Sequence, residues 1–518
     1  MRARRSSRRP EPNRRCWIVV STATVRPMHA HRVLGATALL VLAALAVPAA
    51  YAATGTARYT VTDLGALGTG DFSVATAVNN AGQVVGYSNP TATTTHAFRW
   101  SNGTLTDLGT NPGGGFSRAN AINNAGQVAG TADRIPGGFG YPVRWSAGNV
   151  ITDLGGPVTN ALGVGNGIDP AGRVVGGQRP NSSEGNPLGT LYQVDGTRVD
   201  LGANLGPATG INAVGQVVGS PAYIWRNGTV RFLPGFPGTG STAANAISIS
   251  GQVVGWAGAG LSQIAVRWQG TNPVSLGAID GIMRNQANAV NAAGQIVGTA
   301  DPQCVPCPAP RAWLWQAGTM TALDTLIPAG SGWTLQQANG INDRGQIVGA
   351  GVHNGHMRAY LLTPVFSATV NFQPAGAPRP VGYLADTGAA FGPRSGGRTY
   401  GWNVDNSANA RDRNASGSAD QRYDTLNHLQ KPGGARQWEL AVPNGRYLVH
   451  VVAGDPSTTD SVYRITVEGQ LAVSGTPDAT RHWIEGTMAV TVSDGRLTVT
   501  NGTGAVNNKI DYIDVISG

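Results

Sequence analysis

The sequence has few of the residues on which most catalytic and nucleic-acid-binding sites depend. Only 3 of its 518 residues are cysteine, 13% are charged and 7% are aromatic. The formal net charge of +9 belongs to the N-terminus, because residues 1–52 hold nine Arg and one Glu and leave 28 basic and 27 acidic residues. A nearly neutral chain excludes the electrostatic footprint of a nucleic-acid-binding protein. His-Glu-x-x-His, Gly-x-Ser-x-Gly and paired-carboxylate motifs are also missing, so no motif implies a cofactor or a catalytic centre.

Glycine, in contrast, is abundant, with 74 residues, and seven of them mark a repeat. The repeated phrase is a small residue, Ile or Val, usually Asn, two variable residues, Gly, Gln, two aliphatic residues and Gly. Its first glycines are Gly82, Gly126, Gly172, Gly215, Gly251, Gly294 and Gly345. A period near 44 residues is the length of one four-stranded propeller blade. The sequence therefore predicts an all-β chain with a seven-bladed β-propeller over 54–365.

The first repeat contains four predicted strands, over 74–79, 83–88, 96–101 and 104–108, with Asn102-Gly103 as a two-residue hairpin turn between the last two. A second recurrent strand begins with the run from Tyr59 to Gly65 and has no eighth copy after Leu362. We expect the N-terminal strand to complete the last blade and close the ring, which removes the free sheet edges.

The recurrent Asn of the phrase has two interpretations. The following Gly is three positions later, as in positions i and i+3 of a type I turn, which predicts turn formers. Alternatively, seven such side chains line a binding rim. The positions in question are Asn79, Asn123, Asn212, Asn291 and Asn342, with Asp169 and Ser248 as variants.

The repeats resemble the extracellular HAF repeat family, whose His-Ala-Phe triplet occurs once, at His96-Ala97-Phe98. The resemblance implies a secreted repeat protein and carries no established activity. Export is also predicted by the leader, residues 1–52, with Met28 as the predicted start, an apolar run from Val33 to Val47 and an Ala50-Tyr51-Ala52 cleavage site. The apolar run is too short to span a membrane.

Cys304 and Cys307 form a Cys-Val-Pro-Cys segment in a proline-rich loop. In an exported protein this pair predicts a structural disulfide, and redox activity is the alternative. Zinc would need two further ligands, and none is evident nearby. Whether a metal is bound is left open.

After Pro364 the repeat ends, and short strands with tight turns over 366–518 predict a β-sandwich of the jelly-roll type. Asn444-Gly445 and Asp494-Gly495 are predicted hairpin turns. The segments that begin at Gln421, Val442, Tyr463 and Asn507 resemble malectin-type domains of the galactose-binding-like class. That resemblance implies carbohydrate binding through loops with aromatic and polar side chains.

The candidate binding residues follow from sugar chemistry, since a sugar offers a C–H face to aromatic rings and hydroxyls to polar groups. The long polar stretch from Tyr383 to Gln430 supplies most of them. We predict binding by Tyr400, Trp402, Arg411, Asp412, Arg422 and Asp424, and, from the family resemblance, by Asn507 and Asn508. In the alternative, Tyr400 and Trp402 belong to the core, with Arg422 and Asp424 paired beneath them.

Three functional hypotheses compete. The first is a secreted, non-catalytic protein that binds glycan through the second domain. The second is a polysaccharide hydrolase or lyase with an appended binding module, because glycosidases can assemble acidic residues from separate blades. The third is a surface scaffold that binds protein partners on the propeller face.

Overall fold

The computed structural model describes residues 58–517, except 156–161, 180–186, 260–261, 281, 283, 303–307, 395–396 and 432–433. Within these residues the regular structure is almost all β. The helical elements are the α-helix Gln421–Asp424 and the 3₁₀ turns Leu323–Leu326 and Ser407–Asn409.

Seven antiparallel sheets of four strands form the first part of the chain, and we number them blades 1 to 7. The strands of blades 1 to 3 are Ser73–Val78, Val84–Thr91, Thr94–Ser101, Thr104–Asp107; Ser117–Ile122, Val128–Asp133, Gly140–Trp145, Ile151–Asp153; and Gly163–Ile168, Val174–Gln178, Leu188–Tyr192, Arg198–Asp200. Those of blades 4 to 6 are Ala208–Ile211, Val217–Gly219, Tyr223–Arg226, Thr229–Phe232; Ser241–Ile247, Val253–Ala259, Ser262–Gln269, Asn272–Ser275; and Asn285–Val290, Ile296–Ala300, Arg311–Gln316, Thr319–Ala322. Blade 7 comprises Trp333–Ile341, Ile347–His353, His356–Pro364 and the N-terminal strand Tyr59–Asp63.

The ring is closed by the N-terminal strand, as predicted. Tyr59–Asp63 pairs with His356–Pro364 in antiparallel register, with Tyr59 opposite Pro364 and Asp63 opposite Tyr360. The first strands of successive blades contact one another all the way round, including those of blades 7 and 1. The fold is therefore a closed seven-bladed β-propeller.

The recurrent Asn residues are turn formers, as the first interpretation states. The Asn79 carboxamide oxygen accepts the backbone N–H of Gln83 at 3.0 Å, and its Nδ2 donates to the backbone oxygen of Asn123 in the next blade at 3.0 Å. Asn79 is only 3% exposed. Its amide is thus used within the turn and between blades, and the binding-rim interpretation is wrong.

A second ring of hydrogen bonds joins the blades at a position that the sequence analysis missed. In each blade the first strand has a β-bulge whose extra residue is Asn or Thr. Each bulged side chain donates to a backbone oxygen of the next first strand, at 2.6–2.9 Å. The seven donors are Thr76, Asn120, Asn166, Thr209, Asn245, Asn288 and Asn339. Bulges redirect side chains out of the normal alternation, so the bulge is what aims these groups at the neighbouring blade.

The rest of the chain forms two larger sheets. One contains, in spatial order, Leu384–Asp386, Ser367–Phe372, Tyr512–Ser517, Gly445–Gly454 and Trp483–Val492, and the other contains Gly392–Pro393, Thr399–Trp402, Trp438–Ala441, Arg496–Asn501, Tyr463–Val467 and Gln470–Gly475. We call them the five-stranded and six-stranded sheets. Small sheets of Ala410–Asp412, Thr425–His428 and Lys509–Ile510, and of Gln430–Lys431 and Gly434–Ala435, accompany them.

Side chains of both large sheets form one hydrophobic core, which makes this part a β-sandwich, as predicted. Phe372 of the five-stranded sheet packs edge-on against Trp402 and Trp438 of the six-stranded sheet, with ring centroids 5.8 and 5.3 Å apart. Burial of large aromatic rings supplies much of the driving force for such a core.

Two predicted hairpins in the sandwich are wrong. The strands on either side of Asn444-Gly445 belong to different sheets, as do those on either side of Asp494-Gly495. The two connections lie side by side, since the Val442 N–H donates to the Gly495 oxygen and Asn444 Nδ2 donates to the Ser493 oxygen. A tight turn here carries the chain from one layer to the other, a use that the Asn-Gly pattern does not distinguish from a hairpin.

Candidate functional site

Tyr400 and Trp402 do not line a surface. They are 3% and 0% exposed, and both belong to the sandwich core. The Trp402 indole donates to Asp386 Oδ1 at 2.8 Å, and the Trp438 indole donates to Asp386 Oδ2 at the same distance. Burial raises the pKa of Asp386, although both indole hydrogen bonds act to lower it. The predicted stacking of sugar on these two rings is corrected: the rings are inside, as the core alternative states for them.

Arg411, Asp412 and Asp424 hold the long connection in shape. Arg411 Nη1 donates to the backbone oxygens of two residues on its own segment, at 2.8 and 2.7 Å. Asp412 accepts the N–H of Asn414 at 3.2 Å. Asp424, 7% exposed, accepts from the Ala415 N–H and the Ser418 hydroxyl, each at 2.8 Å. Asp424 is not paired with Arg422, so that part of the core alternative is wrong.

Asn507 and Asn508 occupy the turn before the last strands. Asn508 is fully buried, and its Nδ2 donates to the Arg464 oxygen at 2.7 Å and to Asn501 Oδ1 at 2.9 Å. Asn507 has a φ of 49° and donates to Asp460 Oδ2 at 2.9 Å. Asn508 is thus engaged in fixing the turn, and of the pair only Asn507 is partly exposed.

Arg422 lies at the centre of an aromatic cluster, which we call the Arg422 cluster. Its guanidinium carbon is 5.1 Å from the ring centroid of Tyr512, 5.5 Å from that of Tyr383 and 5.7 Å from that of Tyr423. Nη1 donates to the Tyr383 hydroxyl at 3.2 Å. The Tyr512 hydroxyl and the Tyr423 hydroxyl are 2.7 Å apart. Stacking of a cation on several tyrosines holds both the charge and the rings in fixed positions.

Asp420 orients Arg422 through two hydrogen bonds. Arg422 Nε donates to Asp420 Oδ1 at 3.0 Å and Nη2 donates to Oδ2 at 2.6 Å. Asp420 also caps the short helix by accepting the Arg422 N–H at 2.9 Å. The Arg422 hydrogen bond lowers the pKa of Asp420, and the same pair raises the pKa of Arg422. The two side chains remain 44% and 32% exposed, so the ion pair is reachable from solvent.

Trp483 completes the cluster from the edge of the five-stranded sheet. Its ring meets the Tyr423 ring at 84° with centroids 5.5 Å apart, and its indole N–H donates to the Tyr423 oxygen at 3.2 Å. Trp483 stands opposite Gly454 in the strand register. A Cβ at Gly454 would lie 1.9 Å from the Trp483 ring, so glycine makes room for the indole over the neighbouring strand. Trp483, Tyr423 and Tyr383 are all partly exposed, and together they present aromatic surface beside a charged pair.

A buried ionic network supports the loops under the cluster. Lys509, 1% exposed, contacts Asp455 Oδ2 at 2.9 Å and Asp460 Oδ1 at 3.1 Å. Arg413 Nη2 contacts Asp455 at 2.5 Å. Burial acts to raise the pKa of Asp455, but the hydrogen bonds from Arg413 and Lys509 outweigh it and the pKa is lowered. Loss of one partner would leave a buried charge uncompensated, which is strongly destabilising.

His450 adds a titratable group on the same sheet, next to Tyr512. Its Nε2 is 3.2 Å from Glu485 and its Nδ1 is 3.6 Å from Asp514. The interaction with the Asp514 carboxylate is the largest influence and raises the pKa of His450, against the effect of burial.

The sequence analysis identified one residue of the cluster as a binding residue, Arg422, and missed its aromatic partners. Tyr423 follows Arg422 directly, and Tyr383 is the first residue of the polar stretch. A search of that stretch for tyrosines would have found both. Trp483 and Tyr512 are 60 and 89 residues away from Tyr423, and only the sheet brings them there.

Cys304 and Cys307 lie outside the described residues. Within the described part of the chain, no group of three or more His, Cys, Asp and Glu residues is placed to hold a metal ion. A helix of the length and apolarity needed to cross a membrane is also absent from that part.

Comparison with known proteins gives distant structural likenesses alone. No family model matches the chain, and no curated protein matches it. The streptogramin B lyase structure has a TM-score of 0.40 and 10% identity over 60% of this chain and 100% of the lyase. A family 35 carbohydrate binding module from Clostridium thermocellum has a TM-score of 0.16 and 19% identity over 21% of this chain and 89% of the module. A Bacillus subtilis protein has a TM-score of 0.23 and 22% identity over 30% of this chain, and the match spans only 40% of that protein. Likenesses this distant carry no argument about function.

Proposed function

We propose that this is an exported glycan-binding protein, in which the β-sandwich binds a polysaccharide or oligosaccharide at the Arg422 cluster and the propeller is a scaffold. The observation that carries the proposal is the arrangement of Tyr383, Tyr423 and Trp483 around the Arg422–Asp420 pair. Partly exposed rings suit the C–H face of a sugar, and an exposed arginine–carboxylate pair suits its hydroxyls, which both donate and accept.

The surroundings of the cluster support this use. Gly454 gives Trp483 its position, and the Lys509–Asp455–Arg413 network fixes the loops on which the cluster depends. A binding site held by buried side chains loses little conformational entropy when ligand arrives. The malectin-type resemblance of the Gln421-Arg422-Tyr423 segment agrees with the same location, and the leader and the HAF-type repeats support export.

The proposal is tested by calorimetric titration of the full chain with a panel of plant and bacterial cell-wall oligosaccharides. We expect at least one to bind, and Trp483→Ala to weaken that binding about tenfold or more, the equivalent of about 1.4 kcal/mol. Trp333→Ala is the matched control, because Trp333 is a partly exposed tryptophan of the propeller, stacked on His353 at 4.5 Å. A folded protein that binds no member of the panel, or equal binding by the two variants, would overturn the proposal.

A further inference from the structure

One cavity in the propeller breaks the symmetry of the repeat. It has a volume of about 240 Å³ and lies between blades 6 and 7, where Gln286 and Asn288 of one first strand face Gln337 and Asn339 of the next. Arg284, Thr299 and Asp301 of blade 6 complete its polar lining.

The same positions in the other blades carry different chemistry. Gln286 and Gln337 each lie two residues before the bulged residue of their strand. At this position blades 1, 3 and 5 have Val74, Val164 and Ala243. Arg284 is four residues upstream, where blades 1 and 2 have Phe72 and Phe116. Blade 2 has Arg118 at the position of Gln286 and blade 4 has Pro207, so the junction of blades 6 and 7 is the one at which two neighbouring first strands both carry an amide there.

The side chains of the two glutamines in the cavity are available. No side-chain hydrogen bond of Gln286 or Gln337 occurs among the described residues. Asn288 Nδ2 and Asn339 Nδ2 are used to join blades, at 2.9 Å each, which leaves their carboxamide oxygens as acceptors. By contrast, Arg118, the blade 2 counterpart of Gln286, is stacked over the Tyr87 ring at 4.3 Å.

The chemistry of the lining selects a class of ligand. Amides and a hydroxyl both donate and accept, as sugar hydroxyls do. Arg284 and Asp301 contribute opposite charges, so the lining has no net charge and favours a neutral molecule. The volume is slightly below the roughly 300–1,000 Å³ of sites for drug-sized ligands, so it suits one small molecule and not a chain.

We infer that the cavity between blades 6 and 7 is a second binding site, independent of the Arg422 cluster, for a single neutral, hydroxyl-rich small molecule such as a monosaccharide or a cyclitol. The volume suits a free small molecule or the end of a chain.

The test uses the full chain and calorimetric titration with glucose, galactose, mannose and myo-inositol, with glucuronate as the anionic comparison. We expect one of the neutral probes to bind with a stoichiometry of one. The double variant Arg284→Phe, Gln286→Val installs the residues of blade 1 and should weaken binding at least tenfold. Arg118→Val, the same strand position in blade 2, should leave the affinity unchanged.

Two further variants separate the possible outcomes. Arg422→Met removes the centre of the sandwich cluster and should leave this binding intact. Gln337→Ala removes one amide from the opposite wall, so it replaces the double variant if that protein does not fold. Binding that is lost in Arg422→Met but kept in the cavity variants, binding of glucuronate alone, or no binding of any neutral probe would overturn the inference.

Discussion

At the scale of single residues, Asp386 shows how the sandwich core accommodates polar groups. This carboxylate is 1% exposed and accepts from two indoles and from the Gly388 N–H, each at 2.8 Å. A buried carboxylate is tolerated only where hydrogen bonds satisfy its oxygens. Asp386 therefore sets the positions of Trp402 and Trp438, and the core depends on all three.

The first prediction concerns Trp402. Replacing this ring by Ala removes a fully buried side chain and leaves Asp386 with one indole fewer, so we expect the sandwich to lose about 3–5 kcal/mol of stability. Trp402→Phe keeps most of the volume and should cost less. Urea denaturation followed by tryptophan fluorescence measures both, with the partly exposed Trp483→Ala as comparison. Equal stability of the Trp402→Ala and Trp483→Ala proteins would contradict the core assignment.

The second prediction is acid sensitivity from His428. This imidazole is 3% exposed and its Nδ1 has no hydrogen-bond partner in the described part of the chain. Burial first, then the charges of Lys431, Lys509 and Arg411, lower the pKa of His428 to about 3. In the unfolded chain the same group binds a proton near pH 6.5. Between these values the unfolded state takes up the proton and the folded state does not, so the contribution of His428 to stability is full above pH 6.5 and is lost as the pH drops toward 3.

Each pKa unit of difference corresponds to about 1.4 kcal/mol, so the loss should reach a few kcal/mol. Thermal denaturation at a series of pH values should show it, and His428→Gln should flatten the curve between pH 6.5 and 4. Asp455 and Asp460 have lowered pKa values, about 2 in the case of Asp460. Their contributions to stability are therefore lost only below about pH 4. An unchanged slope in His428→Gln would show that another group is responsible.

At the scale of elements, the bulged first strand is what joins one blade to the next. Small residues follow each bulge, and a Cβ at Gly340 would be 3.1 Å from the Ala77 Cα of the next blade. Neighbouring first strands therefore approach closely, within reach of a short Asn or Thr side chain. The seven bulged residues act as a continuous ring of polar contacts.

The third prediction follows from this ring. Asn120→Ala removes the bond to the Gly165 oxygen, and we expect a loss of about 1–3 kcal/mol because a buried carbonyl loses its partner. Asn120→Thr should recover much of the loss, since Thr76 and Thr209 make the same bond in other blades. Chemical denaturation of the two variants is the measurement. Similar stabilities of the Ala and Thr proteins would show that the bond contributes little.

The fourth prediction concerns the strand pair Gly454 and Trp483. Gly454→Ala places a methyl group where the indole ring lies, so Trp483 must move away from Tyr423. We expect oligosaccharide affinity to fall severalfold while most of the stability is kept, because the ring lies at a partly exposed edge. Gly376→Ala is the matched control, because Gly376 is exposed, does not have a positive φ, and its added Cβ would meet nothing within 4 Å. Normal affinity in Gly454→Ala would separate Trp483 from binding.

Propeller elements could be predicted from the sequence because each repeat states the same local pattern again. Asn102-Gly103, for example, adopts φ values of 48° and 86°, as its hairpin requires. The structure of the sandwich was harder to predict, because this part of the chain has no repeat. Whether an aromatic residue lies in the core or on the surface depends on the register of its strand. Tyr400 and Trp402 share one face of a strand, and sequence does not say which face is inside. The Arg422 cluster depends on strands distant in sequence, so only its arginine was found.

At the scale of the whole molecule, the propeller is a ring that the two ends of its repeat region must close. Tyr59–Asp63 is sequentially remote from the strand it pairs with, and Ser73 of blade 1 accepts the Ala359 N–H of blade 7 at 2.9 Å. Closure thus depends on contacts between residues that are distant in sequence. Ser73 and Ala359, for example, are 286 positions apart. Bringing such distant residues together costs loop entropy, and it pairs the edge of His356–Pro364 that would otherwise be free.

The last prediction is that the N-terminal strand is required for this closure. Deletion of residues 58–66 removes the fourth strand of blade 7, together with the buried side chains of Tyr59 and Leu64, and exposes the backbone edge of His356–Pro364. We expect a lower melting temperature for the propeller, greater aggregation through the unpaired edge and an unchanged transition for the sandwich. Differential scanning calorimetry of the full and shortened proteins distinguishes the two transitions. Adding the missing strand as a separate peptide should restore part of the loss, since strand addition to an open edge needs only the backbone pairing that deletion has freed. If the shortened protein melts at the original temperature, closure by this strand does not contribute to stability.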